Sequence, residues 1–303
     1  RSEASYRVIA TFAVPSENGE SIEMKAELNK RLKTKEEAIA LLEACKNADF
    51  SIEDVQIKPA RKSPAAPFTT STLQQEASRK LGLSVAQTMI IAQRLYESGF
   101  ITYMRTDSVN LSSLALNTSK TEIQETWGEK YLHTRNYHTK TKGAQEAHEA
   151  IRPTYINHHE IEGSSQEKRL YELIWKRTIA SQMSDAEIEK TTATIEISGR
   201  QEKFIATGEV LKFDGFLRVY NESSDDENEN GEGNSKMLPP MQTGESLPAT
   251  VIEATERFTQ RPSRYTEASL VRKLEELGIG RPTHLPYRPY SNAIMSSGET
   301  VRV

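Results

Sequence analysis

The sequence predicts an α+β protein with more than one domain, because the hydrophobic period changes twice along the chain. Residues 6–14 and 21–28 alternate apolar and polar side chains, which is the period of a β-strand. Residues 70–98 carry apolar side chains at helical spacing, and a period of two returns between residues 190 and 220. A helical segment therefore interrupts a β-rich one, and 303 residues suffice for two or three domains.

Turn and capping signals give the first elements. Asn18-Gly19 lies between the two alternating runs and favours a hairpin. Thr34 can cap a helix over 35–46, and the next strand is predicted over 49–60. A domain boundary follows, since two prolines in the run 62–67 disfavour a helix there.

Helices are predicted over 70–81 and 84–98, the second starting at a capping pattern at Ser84 and ending before Gly99. Its apolar face, expected to be core, consists of Val85, Met89, Ala92, Leu95 and Tyr96. The remaining predicted elements are helices over 111–127 and 166–182, strands within 190–220 and over 248–256, and a helix over 266–277. The acidic, Asn- and Gly-rich run 222–236 predicts a disordered loop.

The composition excludes several classes of protein. No apolar run approaches the roughly 18 residues of a membrane span, and no signal-peptide pattern opens the chain, so a cytoplasmic location is expected. Cys45 is the single cysteine, which excludes an internal disulfide and a cysteine zinc site. The net charge of the chain is −4. Residues 222–236 alone have a net charge of −5, whereas residues 61–153 have a net charge of +4. This mild basic bias is compatible with nucleic-acid binding and does not predict it.

The candidate catalytic group is Tyr103, which lies two residues before Arg105. If the chain is extended here, both side chains project from one face. A phenol beside a guanidinium suits attack on a phosphodiester, because arginine can hold a phosphate bidentately and favour the phenolate. By itself this spacing is more often that of a half-buried strand tyrosine followed by a surface arginine.

Four motifs with their flanks resemble those of type IA DNA topoisomerases. They comprise Gly-Phe-Ile-Thr-Tyr-Met-Arg-Thr-Asp-Ser at 99–108, its flanks 67–77 and 89–97, the string 145–154, and 264–271 leading into 278–282. Met104 fits the bacterial topoisomerase I branch, since the topoisomerase III branch usually has proline between the tyrosine and the arginine. The resemblance covers about residues 1–282.

The resemblance implies a toroidal core in which a helical gate domain is inserted into a β-rich arch. We expect the arch over 1–62 and 190–256, the gate with its nucleophilic tyrosine over 63–189, and the start of a DNA-binding floor domain over 257–282. Residues 283–303 do not continue the family's pattern. A shift of one nucleotide can restore Ile-Ser-Thr-Ile there, so we expect this tail to be out of frame.

The activity implied by the resemblance is ATP-independent relaxation of negatively supercoiled DNA. Tyr103 would cleave one strand and become linked to its 5′ phosphate, and Arg105 would position the scissile phosphate. The residues expected to contact DNA are His148, Glu149, Arg152, Gln75 and Arg94. For Arg152, an ion pair within the protein is an equally good interpretation.

Type IA enzymes also use Mg²⁺, bound by an Asp-x-Asp-x-x-Gly element in an N-terminal toprim domain. That element does not occur in this sequence, so we expect the Mg²⁺ ligands outside this chain and no metal ligand within it. The expected partner is a single-stranded segment of supercoiled DNA, bound by a monomer. A second hypothesis is a DNA-binding gate fragment that is inactive alone, and a third is an unrelated structural α+β protein. Formation of a covalent tyrosine–DNA bond would separate them.

Overall fold

The computed structural model describes residues 4–15, 19–138, 148–223, 237–259 and 264–279. The chain divides into two compact units, which we call the sheet unit and the helical unit. The sheet unit takes its residues from Arg1–Lys62, Glu187–Phe213 and Asn230–Ser263, and the helical unit from Ser63–Ala186, Asp214–Glu229 and Arg264–Val303.

One six-stranded sheet dominates the sheet unit, in the order β3-β4-β5-β2-β1-β6. The strands are β1 (Ala4–Pro15), β2 (Ser21–Leu28), β3 (Phe50–Lys62), β4 (Ala186–Ile197), β5 (Lys203–Phe213) and β6 (Ala249–Phe258). β1 is antiparallel to both neighbours, so that Ala10 lies opposite Ala26 on β2 and Ile252 on β6. The predicted hairpin of β1 and β2 is therefore confirmed.

The core of the sheet unit follows from the period of two in β1. Its alternate residues Val8, Ala10, Phe12 and Val14 are almost completely buried. The Phe12 ring packs edge-on against Phe50 and Phe204, with centroid distances of 5.4 and 5.9 Å. Helix α1 (Lys35–Lys46) adds buried apolar residues to this core and begins at Thr34, whose hydroxyl accepts a hydrogen bond from the Glu37 amide, as predicted.

The helical unit contains α2 (Thr70–Leu81), α3 (Val85–Glu97), α4 (Ser113–Trp127), α5 (Ser165–Ser181) and α6 (Glu267–Glu276). Each begins at a serine or threonine whose hydroxyl accepts a backbone amide of the first turn, which satisfies one of the unpaired donors there. These helices confirm the predicted ones to within two residues at each end.

One predicted strand segment is wrong. The period of two suggests strands up to residue 220, but β5 ends at Phe213 and Gly215–Arg218 form a 3₁₀ turn. The reason is burial, since Phe216 and Tyr220 insert into the hydrophobic core of the helical unit rather than into the sheet. By sequence this segment belongs to the expected arch. The division into arch, gate and floor domains otherwise stays a prediction.

Several expectations lie outside the described residues. They concern most of the acidic run 222–236, the tail 283–303 and parts of two motifs, 145–147 and 280–282. Within the part of the chain that is described, no helix is long and apolar enough to cross a membrane.

Candidate functional site

The segment that carries Tyr103 begins where α3 ends. Gly99 has a φ of +76°, a left-handed conformation that glycine adopts without strain, and its amide donates to the carbonyl of Tyr96 at 2.9 Å. Ile101 then pairs with Pro153 in an isolated antiparallel bridge. The Thr102 amide donates to the Arg152 carbonyl at 2.9 Å, so the chain on the N-terminal side of Tyr103 is fixed by backbone pairing.

Burial alternates along this segment although it is not a regular strand. Tyr103 is 41% exposed, whereas Met104, Thr106 and Ser108 are at most 3% exposed. The backbone bends at Met104 and Arg105, so the condition of a fully extended chain is not met. The alternation nevertheless leaves Tyr103 exposed and Arg105 partly exposed, while the residues between and after them anchor the segment in the core.

A second tyrosine packs against the candidate nucleophile. The rings of Tyr96 and Tyr103 meet edge to face, with centroids 5.3 Å apart and an interplanar angle of 67°. The helical spacing predicts Tyr96 as part of the buried face of α3, yet it is 41% exposed. That part of the prediction is wrong, because in the last turn Leu95 is buried while Tyr96, the next residue around the helix, is exposed and packs against Tyr103.

Arg105 makes no hydrogen bond or ion pair with any of the described residues, and its side chain is partly exposed. Its guanidinium donors are therefore free to bind an anion. A phosphate that reached the Tyr103 phenol is the kind of group that such donors bind bidentately.

Glu149 and Arg152 form a charged pair beside this segment. Arg152 is only 8% exposed, and its Nη2 and Nε donate to Glu149 Oε2 at 2.6 and 3.1 Å. Glu149 Oε1 accepts the Ser112 amide at 2.6 Å. Burial raises the pKa of Glu149, but the hydrogen bonds from Ser112 and Arg152 outweigh it and hold the pKa below its usual value.

The other residues expected to contact DNA are spread over the helical unit. Gln75 is 6% exposed and donates to Ser71 Oγ at 3.1 Å and Glu275 Oε2 at 3.3 Å, so its amide has partners within the protein. Arg94 lies exposed on α3, and His148 is exposed at the start of its motif. The structure thus joins Glu149 and Arg152 to the Tyr103 segment, while the described contacts of Gln75 are on α2 and α6.

Two threonines that sequence reasoning missed hold the Tyr103 segment. Thr102 Oγ1 donates to the Ala150 carbonyl at 2.7 Å and accepts the Arg152 amide at 2.9 Å. Thr70, the first residue of α2, hydrogen-bonds with the backbone of Met104 and Thr106. The available signal was the run Thr69-Thr70-Ser71-Thr72, which has more hydroxyls than a helix cap needs.

The Mg²⁺ that the resemblance implies does not fit the described residues. No three His, Cys, Asp or Glu side chains come together among them in a way that could hold a metal ion. The described part of the chain therefore offers this ion no set of ligands.

Comparison with known proteins decides the family. The model of a family described as "DNA topoisomerase" matches residues 1–285. The chain belongs to this DNA topoisomerase family. Two curated relatives, both named DNA topoisomerase 1, are 47% and 46% identical to it, from Rickettsia bellii over 263 residues and from Streptomyces coelicolor over 254 residues.

This member of the topoisomerase family also resembles a solved structure, full-length topoisomerase I from Thermotoga maritima. The TM-score is 0.77 at 33% identity, and the match covers 98% of this chain and 47% of that one. The two curated matches cover 82% and 81% of the chain but 32% and 27% of the relatives. The chain therefore spans less than a third of their length.

Proposed function

We propose that this chain is the nucleophile-bearing part of a type IA DNA topoisomerase that relaxes negatively supercoiled DNA without ATP. The observation that carries the proposal is the placement of Tyr103, an exposed phenol on a segment whose neighbouring residues are buried and hydrogen-bonded. Membership of the topoisomerase family supports it. A nucleophile needs this combination, since the phenol must be reachable while its position is fixed.

The reaction we propose is a transesterification. The Tyr103 oxygen attacks the phosphorus of a DNA phosphodiester, loses its proton, and forms a phosphotyrosine with the 5′ phosphate. The bond to the 3′ oxygen breaks, and that oxygen takes up a proton to leave as a hydroxyl. After strand passage the 3′ hydroxyl attacks the phosphotyrosine and releases Tyr103. One ester replaces another at each step, so no ATP is needed.

Arg105 has a distinct role in this proposal. Its guanidinium, which has no partner among the described residues, binds the non-bridging oxygens of the scissile phosphate and stabilises the charge that develops on them. The substrate is a single-stranded segment, and the protein acts as a monomer in the cytoplasm. Mg²⁺, for which we expect ligands outside this chain, would supply electrostatic stabilisation of the transition state.

The test is removal of one oxygen atom. With this chain restored to its full-length context, Tyr103→Phe should abolish the covalent DNA adduct on a single-stranded oligonucleotide, and with it relaxation. Binding of the same oligonucleotide should change by less than about twofold, because phosphate contacts dominate such affinity.

Tyr155→Phe is the matched control. Tyr155 is 59% exposed in the same unit, and the substitution removes the same hydroxyl without touching the proposed reaction. It should leave adduct formation at the wild-type level. Recovery of a covalent adduct from the Tyr103→Phe protein would refute the assignment of the nucleophile.

A further inference from the structure

The first residue of α2 is hydrogen-bonded to the backbone on both sides of Arg105. Thr70 Oγ1 donates to the Met104 carbonyl at 2.8 Å, with the Thr106 carbonyl as a second acceptor at 3.1 Å. The same oxygen accepts the Thr106 amide at 2.8 Å. The Thr70 amide donates to the Thr106 carbonyl at 2.9 Å. Four polar contacts therefore join one threonine to the two residues that flank Arg105.

The other hydroxyls of this run have separate partners. Thr69 caps α2 by accepting the Thr72 amide, and Thr72 Oγ1 in turn accepts the Thr69 amide at 2.9 Å. Ser71 Oγ donates to Glu275 on α6 at 2.7 Å. Thr70 is thus not needed for the helix cap, and its amide is one of those that a helix N-terminus leaves unpaired. This amide and the hydroxyl are both used on the Met104–Thr106 backbone.

The hydrogen bonds of Thr70 are buried. Thr70 is 1% exposed, and Met104 and Thr106 are 1% and 3% exposed, so water does not compete for these hydrogen bonds. A buried carbonyl that loses its partner must find another or move. The hydroxyl of Thr70 therefore restricts the peptide planes before and after Arg105.

We infer that Thr70 is a positioning residue for DNA cleavage, whose hydroxyl orients Arg105 and Tyr103 by holding the backbone carbonyls of Met104 and Thr106. The inference rests on the proposed function of Tyr103. It adds a residue outside the 99–108 motif that holds the Tyr103 segment in place. Thr70 is 1% exposed and its hydrogen bonds go to backbone, so its effect on cleavage is on geometry alone.

The expected consequence is a loss of rate without a loss of binding. A displacement of about 1 Å in a reacting group can cost about 100-fold in rate, whereas affinity for single-stranded DNA depends on the number of phosphate contacts. In the full-length protein, Thr70→Val should lower the single-turnover cleavage rate by about 10- to 100-fold. Oligonucleotide affinity should stay within about twofold of wild type.

Two further variants separate positioning from general destabilisation. Thr70→Ser keeps the hydroxyl and should recover cleavage to within about threefold of wild type. Thr178→Val is the matched control, because Thr178 is 0% exposed in the same unit and its hydroxyl donates to the Ile174 carbonyl at 2.9 Å within α5. It should lose stability but cleave at the wild-type rate well below its melting temperature. If Thr70→Val does not fold, Thr70→Ala, which admits water, takes its place.

A spectroscopic measurement keeps this inference distinct from the proposed function. Fluorotyrosine incorporated at position 103 should give one ¹⁹F resonance in the wild-type and Thr178→Val proteins, and a broadened, shifted or second resonance in Thr70→Val. If the Tyr103→Phe protein cleaved DNA at the wild-type rate, only the proposed function would be refuted. Wild-type cleavage and an unchanged resonance in Thr70→Val would overturn the positioning role.

Discussion

The buried guanidinium of Arg152 joins the segment that pairs with the Tyr103 segment to the start of α4. Besides its bonds to Glu149, Arg152 donates from Nη1 to the carbonyls of Pro153 and Thr154 at 2.9 and 3.3 Å. Nη2 also lies 3.4 Å from Ser112 Oγ, the N-cap of α4. Of the two interpretations that the sequence leaves open, the ion pair is present. A DNA contact by Arg152 stays a prediction.

This pair gives a prediction for stability. Glu149→Gln should lower the free energy of unfolding at pH 7 by about 2–3 kcal/mol, because the poorly exposed Arg152 loses its counter-charge. The pKa of Glu149 is lowered in the folded state, so its contribution is complete above the ordinary glutamate pKa of about 4.3. It is lost as the pH falls through the lower, folded-state value.

Urea unfolding of both proteins between pH 7 and pH 3 measures this difference. The gap between wild type and Glu149→Gln should close towards pH 3. Glu160→Gln, at an exposed position of the same unit, should cost less than about 0.5 kcal/mol throughout. A gap that does not depend on pH would show that the carboxylate charge is not what stabilises Arg152.

At the scale of the secondary-structure elements, local signals were sufficient for the helices. A cap acts between residues three apart, so Thr34 with Glu37 and Ser84 with Gln87 could be recognised in the sequence. The order of the strands in the sheet could not be recognised in this way. Tyr6 pairs with Glu256 across 250 residues, and no local pattern in the sequence indicates that pairing.

The same distinction applies to the candidate site. The motif located Tyr103 and Arg105, and their exposure beside buried Met104 agrees with the period of two. The supporting contact from Thr70 could not be predicted, since it joins residues 34 and 36 positions apart through one hydroxyl. Phe216 and Tyr220 lie in the region predicted as strands, and no local pattern indicates that they pack in the core of the helical unit.

The 3₁₀ turn that replaces the predicted strand depends on a glycine. Gly215 has a φ of +50°, and a Cβ there would lie 2.4 Å from the backbone oxygens of both Ser184 and Asp185. Gly215→Ala should therefore lower the free energy of unfolding by about 3 kcal/mol or more, since backbone has to move.

Gly82→Ala is the control for backbone strain alone. Gly82 has a φ of +65°, but a Cβ there would meet nothing within 4 Å, so the cost should be about 1–2 kcal/mol. Chemical unfolding of the two variants measures both values. Equal losses would mean that the close approach to Ser184 and Asp185 does not govern this turn.

At the scale of the whole molecule, charge is unevenly distributed. The region 61–153, which carries the Tyr103 motif, has a net charge of +4, while the acidic run 222–236 has −5. We expect these 303 residues to bind single-stranded DNA weakly, with an affinity that falls steeply as salt rises, because counterions are released from the phosphates. Fluorescence anisotropy between 50 and 200 mM salt, roughly the range over which such affinities change most, tests this. An affinity independent of salt would contradict it.

We expect relaxation to require more than the groups found on the described residues of this chain. Tyr103 supplies the attacking oxygen and Arg105 can stabilise charge on the phosphate, but the leaving 3′ oxygen must also be stabilised and protonated. The described residues contain no cluster of carboxylates for this, and the sequence contains no Asp-x-Asp-x-x-Gly element.

We therefore expect no relaxation of supercoiled plasmid by these residues alone with Mg²⁺, and recovery when a toprim domain is added as a separate protein. The Tyr103→Phe chain with the same domain should stay inactive, which shows that the recovered activity uses this nucleophile. Relaxation by the chain alone would refute this division of roles, because all the groups needed for cleavage would then lie within it.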